Sequence, residues 1–174
     1  MPSQRTKDGE KVAIELYCKL LGSDKQVEYP DPPDAIIQLK NGVFDWVEVT
    51  STWPGQSKGQ HHSYAAALNN PSGHGKSFGY VENVHTDLIH SIKEKDANKE
   101  YEQFLEIYGK GVLIVNLEYA GFDNYVERFI LPKDAGCSNL KYFRSIFLHL
   151  SRCHEWSNGE VCSFPSRLIP VIGS

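Results

Sequence analysis

The sequence lacks the features that would mark a membrane-spanning or exported protein. No segment of its 174 residues approaches the roughly 20 consecutive apolar residues that a membrane-spanning helix needs. The first eleven residues, MPSQRTKDGEK, contain no apolar core of a signal peptide. We therefore expect a cytoplasmic protein without a membrane partner, and we expect its four cysteines to be reduced.

An excess of positive charge is also missing. Lys and Arg number 18 and Asp and Glu number 22, so the net charge is −4 with neutral histidines. This balance argues against a surface coated in positive potential, although a local basic face or a bound cation could still attract nucleic acid. Hydrophobic residues make up 40% and charged residues 23%, as in ordinary globular proteins. With no repeat and no low-complexity linker, the chain predicts a single α/β or α+β domain over residues 1–174.

The apolar pattern predicts a helix followed by a hairpin in the first part of the chain. Residues 8–22, DGEKVAIELYCKLLG, have the spacing of an amphipathic helix that ends near a glycine. After a proline-broken stretch, AIIQL (35–39) and FDWVEVTS (44–51) predict two strands. The Asn41-Gly42 pair between them is a strong signal for a hairpin turn.

The second half predicts a long helix and further strands. Residues 83–109 have helical periodicity, and GVLIVNLEY (111–119) is typical of a strand buried on both faces. We expect residues 52–82 to form a long, partly irregular loop. Residues 125–131 and 143–150 have strand character, although the second segment could be helical. WSNGEVCSF (156–164) contains another hairpin-like turn, and RLIPVI (167–172) closes the chain. We expect a core over about residues 8–150 and a C-terminal hairpin extension over residues 151–174.

Two carboxylates stand in the predicted hairpin. Glu48 shares a strand face with Trp46 and Thr50, and Asp34 begins the preceding strand as its neighbour across the hairpin. A carboxylate on such an apolar face is costly unless it is paired or bound to a cation. Two adjacent carboxylates suit a hard divalent cation such as Mg²⁺, which prefers oxygen ligands. Taken singly, Asp34 could instead cap a turn and Glu48 could face solvent on an edge strand.

The segment PPD followed by a strand, a turn and VEVT resembles the motif of the PD-(D/E)XK nuclease superfamily. The order of elements over about residues 8–118 is similar as well. The resemblance implies a restriction-endonuclease-like α/β fold, in which a mixed β-sheet is flanked by α-helices. It also implies that Asp34, Glu48, the Val49 carbonyl and Glu10 of the first helix bind Mg²⁺, with Mn²⁺ as an alternative ion.

One position departs from the family pattern. Thr50 stands where the family has a catalytic lysine. Some members supply that lysine from the following helix, where Leu88, Ile92, Lys95 and Lys99 would share one face here. We expect a helix over residues 86–96 with Leu88 and Ile92 buried and Lys95 directed toward the two carboxylates. Lys99 is the second candidate.

The resemblance implies metal-assisted hydrolysis of phosphodiester bonds, with DNA as the expected substrate, RNA as an alternative, and a homodimer as a compatible assembly. In this reading Asp34, Glu48, Lys95 and Glu10 are the catalytic residues. Because of Thr50 and the acidic net charge, the alternative is a catalytically inactive nuclease-fold module for binding or assembly. An unrelated small α+β interaction domain is the third reading.

Two further motifs are weaker. SGHGKSFG (72–79) resembles a phosphate-binding loop, but Asn70 occupies the place of its first glycine, and a flexible loop is the favoured interpretation. A zinc site could be composed from His149, Cys153, His154 and Cys162, although their spacing matches no standard zinc finger.

Overall fold

The protein is a mixed α/β structure in which helices cover both faces of a seven-stranded sheet. The computed structural model describes residues 4–22, 27–52, 84–117, 129–132, 135–150, 154–157, 160–163 and 166–173. Its helices are α1 (Gln4–Leu20), α2 (Val84–Asp96) and α3 (Glu102–Tyr108), with a 3₁₀ turn at Lys99–Tyr101. Its strands are β1 (Val27–Glu28), β2 (Ala35–Gln38), β3 (Phe44–Thr52), β4 (Gly111–Leu117), β5 (Phe129–Leu131), β6 (Phe143–Leu150), β7 (His154–Ser157), β8 (Glu160–Ser163) and β9 (Arg167–Gly173).

The sheet combines antiparallel and parallel pairs in the order β1-β2-β3-β4-β6-β9-β5. The first three strands are antiparallel neighbours, whereas β3, β4 and β6 run parallel in its centre. β9 pairs antiparallel with β6 and parallel with β5. The coarse α/β prediction of a mixed sheet flanked by helices is therefore confirmed.

The predicted hairpin is present between β2 and β3. Its turn closes with two backbone bonds, from Leu39 N to the Val43 carbonyl (2.7 Å) and from Gly42 N to the Leu39 carbonyl (2.8 Å). Gly42 has φ of 77°, a left-handed conformation that glycine adopts without a steric penalty. The register pairs Ala35 with Val47 and Ile36 with Trp46, which fixes the face of every side chain in β3.

Strand β4 is the centre of the molecule, as its continuous apolar run predicts. All of its residues are buried, and alternate side chains enter two different cores. One core packs under α1 and includes Ile14, Val49 and Ile114. The other packs under α2 and α3 and is built around Trp46. A Cβ on Gly111 would overlap the Trp46 ring, so only glycine lets the strand approach this close.

The predicted helix over residues 83–109 is wrong as a single element. α2 ends at Asp96, where Ala97 N and Asn98 N close the last turn on the carbonyls of Lys93 and Lys95. The Asn98 side chain then accepts a hydrogen bond from Glu100 N (3.1 Å) and begins a new helical turn. Asn competes for backbone bonds in this way, which makes it a poor helix-interior residue.

Within α2 the expected burial is confirmed, because Leu88 and Ile92 are both fully buried. Burying each such side chain stabilises the fold by about 1.5–3 kcal/mol. At the C-terminal end, β7 and β8 form a separate antiparallel pair, as a hairpin over residues 156–164 predicts. β9, by contrast, lies inside the main sheet rather than in an extension.

In the part of the chain that the structure describes, no helix combines the length and apolar character that crossing a membrane requires.

Candidate functional site

The hairpin register places Asp34 beside Glu48. Since Ala35 pairs with Val47, the next residues outward, Asp34 and Glu48, face each other on the same side of the sheet. β2 begins only at Ala35, so the Val49 N–H lies beyond its backbone partners and donates to Asp34 Oδ2 at 2.7 Å. The Asp34 carboxylate thus takes the place of the backbone carbonyl that a neighbouring strand would offer to Val49 N–H, and this bond fixes the position of the side chain.

Lys95 reaches the same point from α2. Its ammonium donates to Glu48 Oε1 at 2.5 Å, and the two side chains are 28% and 6% exposed. This agrees with the direction predicted from the apolar stripe of Leu88 and Ile92. Lys99 does not share that stripe, because the helix ends at Asp96, and its side chain is exposed. Of the two lysines considered, the structure brings Lys95 to the carboxylates.

Tyr101 is a member of the site that sequence reasoning missed. Its side chain is 1% exposed, and its hydroxyl lies 3.4 Å from Lys95 Nζ. The nearby Glu48 Oε2 is buried and accepts no hydrogen bond from the described residues. Burial and the Glu48 charge raise the pKa of Tyr101 well above its ordinary value, so the phenol stays protonated.

The electrostatics of the site are unbalanced toward negative charge. Burial, the Glu48 charge and the Glu10 charge raise the pKa of Asp34 from 3.8 to about 7, against the opposing effects of the Val49 N–H and Lys95. Desolvation is the largest of these causes, and repulsion by Glu48 follows it. A carboxylate perturbed in this way inside a cleft is a marker of a functional site.

A cavity of about 380 Å³ opens over these groups. Asp34, Glu48, Val49 and Lys95 line it together with Glu10, Lys11, Ile14, Tyr29 and Asp31. The first helix therefore brings Glu10 to the same cavity as Asp34 and Glu48. Tyr29 and Asp31 were not predicted; their only sequence signal is their place in the YPDPPD segment just before Asp34.

The donor set fits a hard divalent cation. Asp34 and Glu48 supply carboxylate oxygens, and the Val49 carbonyl points to the same edge as the Val49 N–H because both groups of a strand residue face one side. A buried carboxylate oxygen without a partner, beside a carboxyl group with a raised pKa, is an arrangement that a cation would stabilise. Among the described residues, no group of three or more His, Cys, Asp or Glu side chains is arranged to hold a metal ion.

The weaker motifs gain no support from the described residues. His149 is buried, its Nδ1 lies 2.7 Å from Asn116 Oδ1, and burial lowers its pKa to about 4. Cys153 and the phosphate-loop-like residues 72–79 lie outside the described residues, as do the side chains of His154 and Cys162. Among the described residues, Cys18 and Cys137 are not part of a disulfide bond.

Comparisons of the chain with models of protein families, with curated proteins and with solved structures found no match. Its function is therefore inferred from the geometry of its own residues.

Proposed function

We propose that the protein is a metal-dependent hydrolase of phosphodiester bonds with a restriction-endonuclease-like fold, and that its substrate is DNA. One observation carries the proposal: Asp34, Glu48 and Lys95 come from separate elements and converge at one cavity. Two neighbouring carboxylates, one of them paired with an ammonium, form at this cavity a set that suits phosphoryl chemistry better than a structural ion pair.

Asp34, Glu48 and the Val49 carbonyl would hold Mg²⁺, and Glu10, which also lines the cavity, would be a further ligand. When bound, such an ion supplies an activated water and neutralises charge on the phosphate. The raised pKa of Asp34 reflects first its burial and then repulsion by the Glu48 charge, and a bound cation would offset both. The buried neighbouring carboxylates lower the stability of the fold, as is common where side chains are arranged for chemistry.

Lys95 takes the role that the residue at Thr50 would have in the family pattern. Its ammonium is partly exposed to the cavity, so it can donate to a phosphate oxygen while staying near Glu48. A donor fixed where negative charge develops lowers the barrier by stabilising the transition state more than the substrate.

The rim of the cavity supports a nucleic-acid substrate. Lys11 adds a second cationic side chain, and Tyr29 is 52% exposed, which leaves its ring available for stacking on a base. The excess of carboxylates would repel a phosphate in the absence of a cation, so binding and cleavage should both depend on the metal.

The proposal is tested by incubating wild type and Glu48→Gln with supercoiled, linear and single-stranded DNA and with RNA. Each reaction contains Mg²⁺, Mn²⁺ or a chelator. Cleavage of DNA by wild type alone, lost on chelation, would support the proposal. Cleavage of RNA alone would correct the substrate. Binding of DNA without cleavage under every condition would replace the hydrolase with the non-catalytic binding module.

A further inference from the structure

The Lys95 ammonium has two partners of different kinds. Glu48 Oε1 accepts from it at 2.5 Å, and the Tyr101 hydroxyl oxygen lies at 3.4 Å, where a small movement of the lysine would form a normal hydrogen bond. The lysine side chain is 28% exposed and carries its ammonium on a flexible four-carbon chain, whereas Glu48 and Tyr101 are buried. Lys95 is therefore the member of the three that can move.

Tyr101 cannot follow such a movement. Its ring packs against Trp46, Tyr142 and Phe143 at centroid distances of 5.5 to 5.8 Å. Its backbone lies in the 3₁₀ turn that Asn98 caps. The aromatic cluster thus holds the hydroxyl in place beside Lys95 and Glu48, and a side-chain hydrogen bond with Glu48 adds to burial and the Glu48 charge in raising the pKa of Tyr101.

We propose that the Tyr101 hydroxyl is a second hydrogen-bond acceptor for the Lys95 ammonium. The ammonium moves from Glu48 to this hydroxyl when a divalent cation binds the Glu48 carboxylate. This inference rests on the proposed function. Two cations beside one carboxylate repel each other, so a cation at Glu48 weakens the Lys95–Glu48 ion pair. The Tyr101 oxygen then replaces the lost contact and keeps the ammonium at the cavity, where it can meet a phosphate oxygen. Tyr101 acts as a positioning residue and touches neither cation nor substrate.

The proposal predicts opposite effects of two substitutions on metal affinity. Lys95→Met removes the competing cation, so Mn²⁺ should bind about tenfold more tightly. Tyr101→Phe removes the second acceptor, so displacement of Lys95 from Glu48 becomes harder. Mn²⁺ should then bind about tenfold more weakly, a loss that corresponds to one hydrogen bond to a charged group. Cleavage at saturating Mn²⁺ should fall in both variants, because neither holds an ammonium in place.

Calorimetric titration of the metal-free protein with MnCl₂ alone measures these affinities without any need for activity. Tyr142→Phe is the matched control, since it removes a hydroxyl from the same aromatic cluster that bonds to Glu102 and not to the site. Its Mn²⁺ affinity should equal that of wild type.

A Tyr101→Phe affinity within twofold of wild type, or a Lys95→Met variant that binds Mn²⁺ more weakly than wild type, would overturn the inference. If Tyr101→Phe does not fold, as judged by its melting transition, the direction of the Lys95→Met change decides alone. Failure of the proposed function gives a different result, because wild type would then neither bind Mn²⁺ at this site nor cleave DNA.

Discussion

Strand β3 carries two buried carboxylates, Asp45 and Glu48, whose surroundings differ sharply. Asp45 lies under α1, where both of its oxygens accept from the Arg144 guanidinium and Oδ2 also accepts from the Tyr17 hydroxyl at 3.1 Å. Glu48 lies on the other face, with one oxygen on Lys95 and the other without a partner among the described residues. It also faces a second carboxylate, Asp34, whose pKa it raises.

The difference separates a structural ion pair from a site arranged for chemistry. At Asp45 one bidentate cation and one hydroxyl satisfy one carboxylate, so nothing remains for a ligand. At Glu48 the Lys95 ammonium bonds to only one of two neighbouring carboxylates that border a cavity. Burial alone therefore does not identify a functional carboxylate. The useful sign is a buried carboxylate whose charge and hydrogen-bonding capacity are not balanced by the protein around it.

The largest expected effect is on stability, at Asp45. Asp45→Ala should lower the free energy of unfolding by about 3–5 kcal/mol, because it leaves the buried Tyr17 hydroxyl without its acceptor and the Arg144 guanidinium with only the Lys110 carbonyl. Glu48→Gln should lower it by less than about 1 kcal/mol, since it removes repulsion from Asp34 along with the Lys95 ion pair. Urea unfolding of both variants measures the contrast, and equal losses would contradict the distinction drawn between the two carboxylates.

The order reverses for activity. Glu48→Gln should reduce the cleavage rate by about 10²–10³-fold, because it removes an anionic ligand of the metal ion that would activate the water and neutralise charge on the phosphate. Arg144→Lys weakens the structural pair without touching the cavity, and its rate per folded molecule should stay within about threefold of wild type. A similar loss in both variants would show that β3 is simply sensitive to substitution.

The Asp34 pKa predicts a pH dependence of stability. The folded state holds the Asp34 proton up to about pH 7, whereas the unfolded chain releases it near 3.8. Wild type therefore loses stability as pH rises between these values, with no further loss above them. Asp34→Asn cannot ionise and still offers Val49 N–H an oxygen, so it should be more stable than wild type by up to about 4 kcal/mol at pH 8. This advantage should disappear near pH 4; thermal unfolding across the range would reject the account if the difference were constant.

The smallest effect concerns Thr50, which shares the face of Glu48. If Lys95 has taken over the role of a lysine at this position, Lys95→Met combined with Thr50→Lys should recover about tenfold of the activity that Lys95→Met loses. Initial rates of the single and double variants measure this. The matched control is Lys95→Met with Ser51→Lys, whose lysine starts from the opposite face of β3 and should recover nothing.

Much of the fold could be predicted because local signals and burial agree. The Asn41-Gly42 turn fixed the hairpin register, and the continuous apolar run of β4 indicated a central strand. The break between α2 and the 3₁₀ turn was missed because the apolar periodicity continues through it, while Asn98 ends the helix by a side-chain bond.

The site could be predicted only in part, for a similar reason. Asp34 and Glu48 meet through a local hairpin, and Lys95 follows from a helical stripe. Tyr101 and Tyr29 reach the site through tertiary packing, and a tyrosine in a sequence looks the same whether its ring serves a core or a cavity.

The most direct test of the central claim is the melting temperature of the metal-free protein as MnCl₂ is added. If Asp34 and Glu48 form an unbalanced site for a divalent cation, wild type should be stabilised by about 2.7 kcal/mol at 100 times the dissociation constant, a rise of roughly 5–10 °C. Glu48→Gln should show no such rise, whereas Glu102→Gln, which alters an exposed carboxylate paired with Lys141, should respond like wild type. An equal rise in wild type and Glu48→Gln, or none in wild type, would contradict the claim.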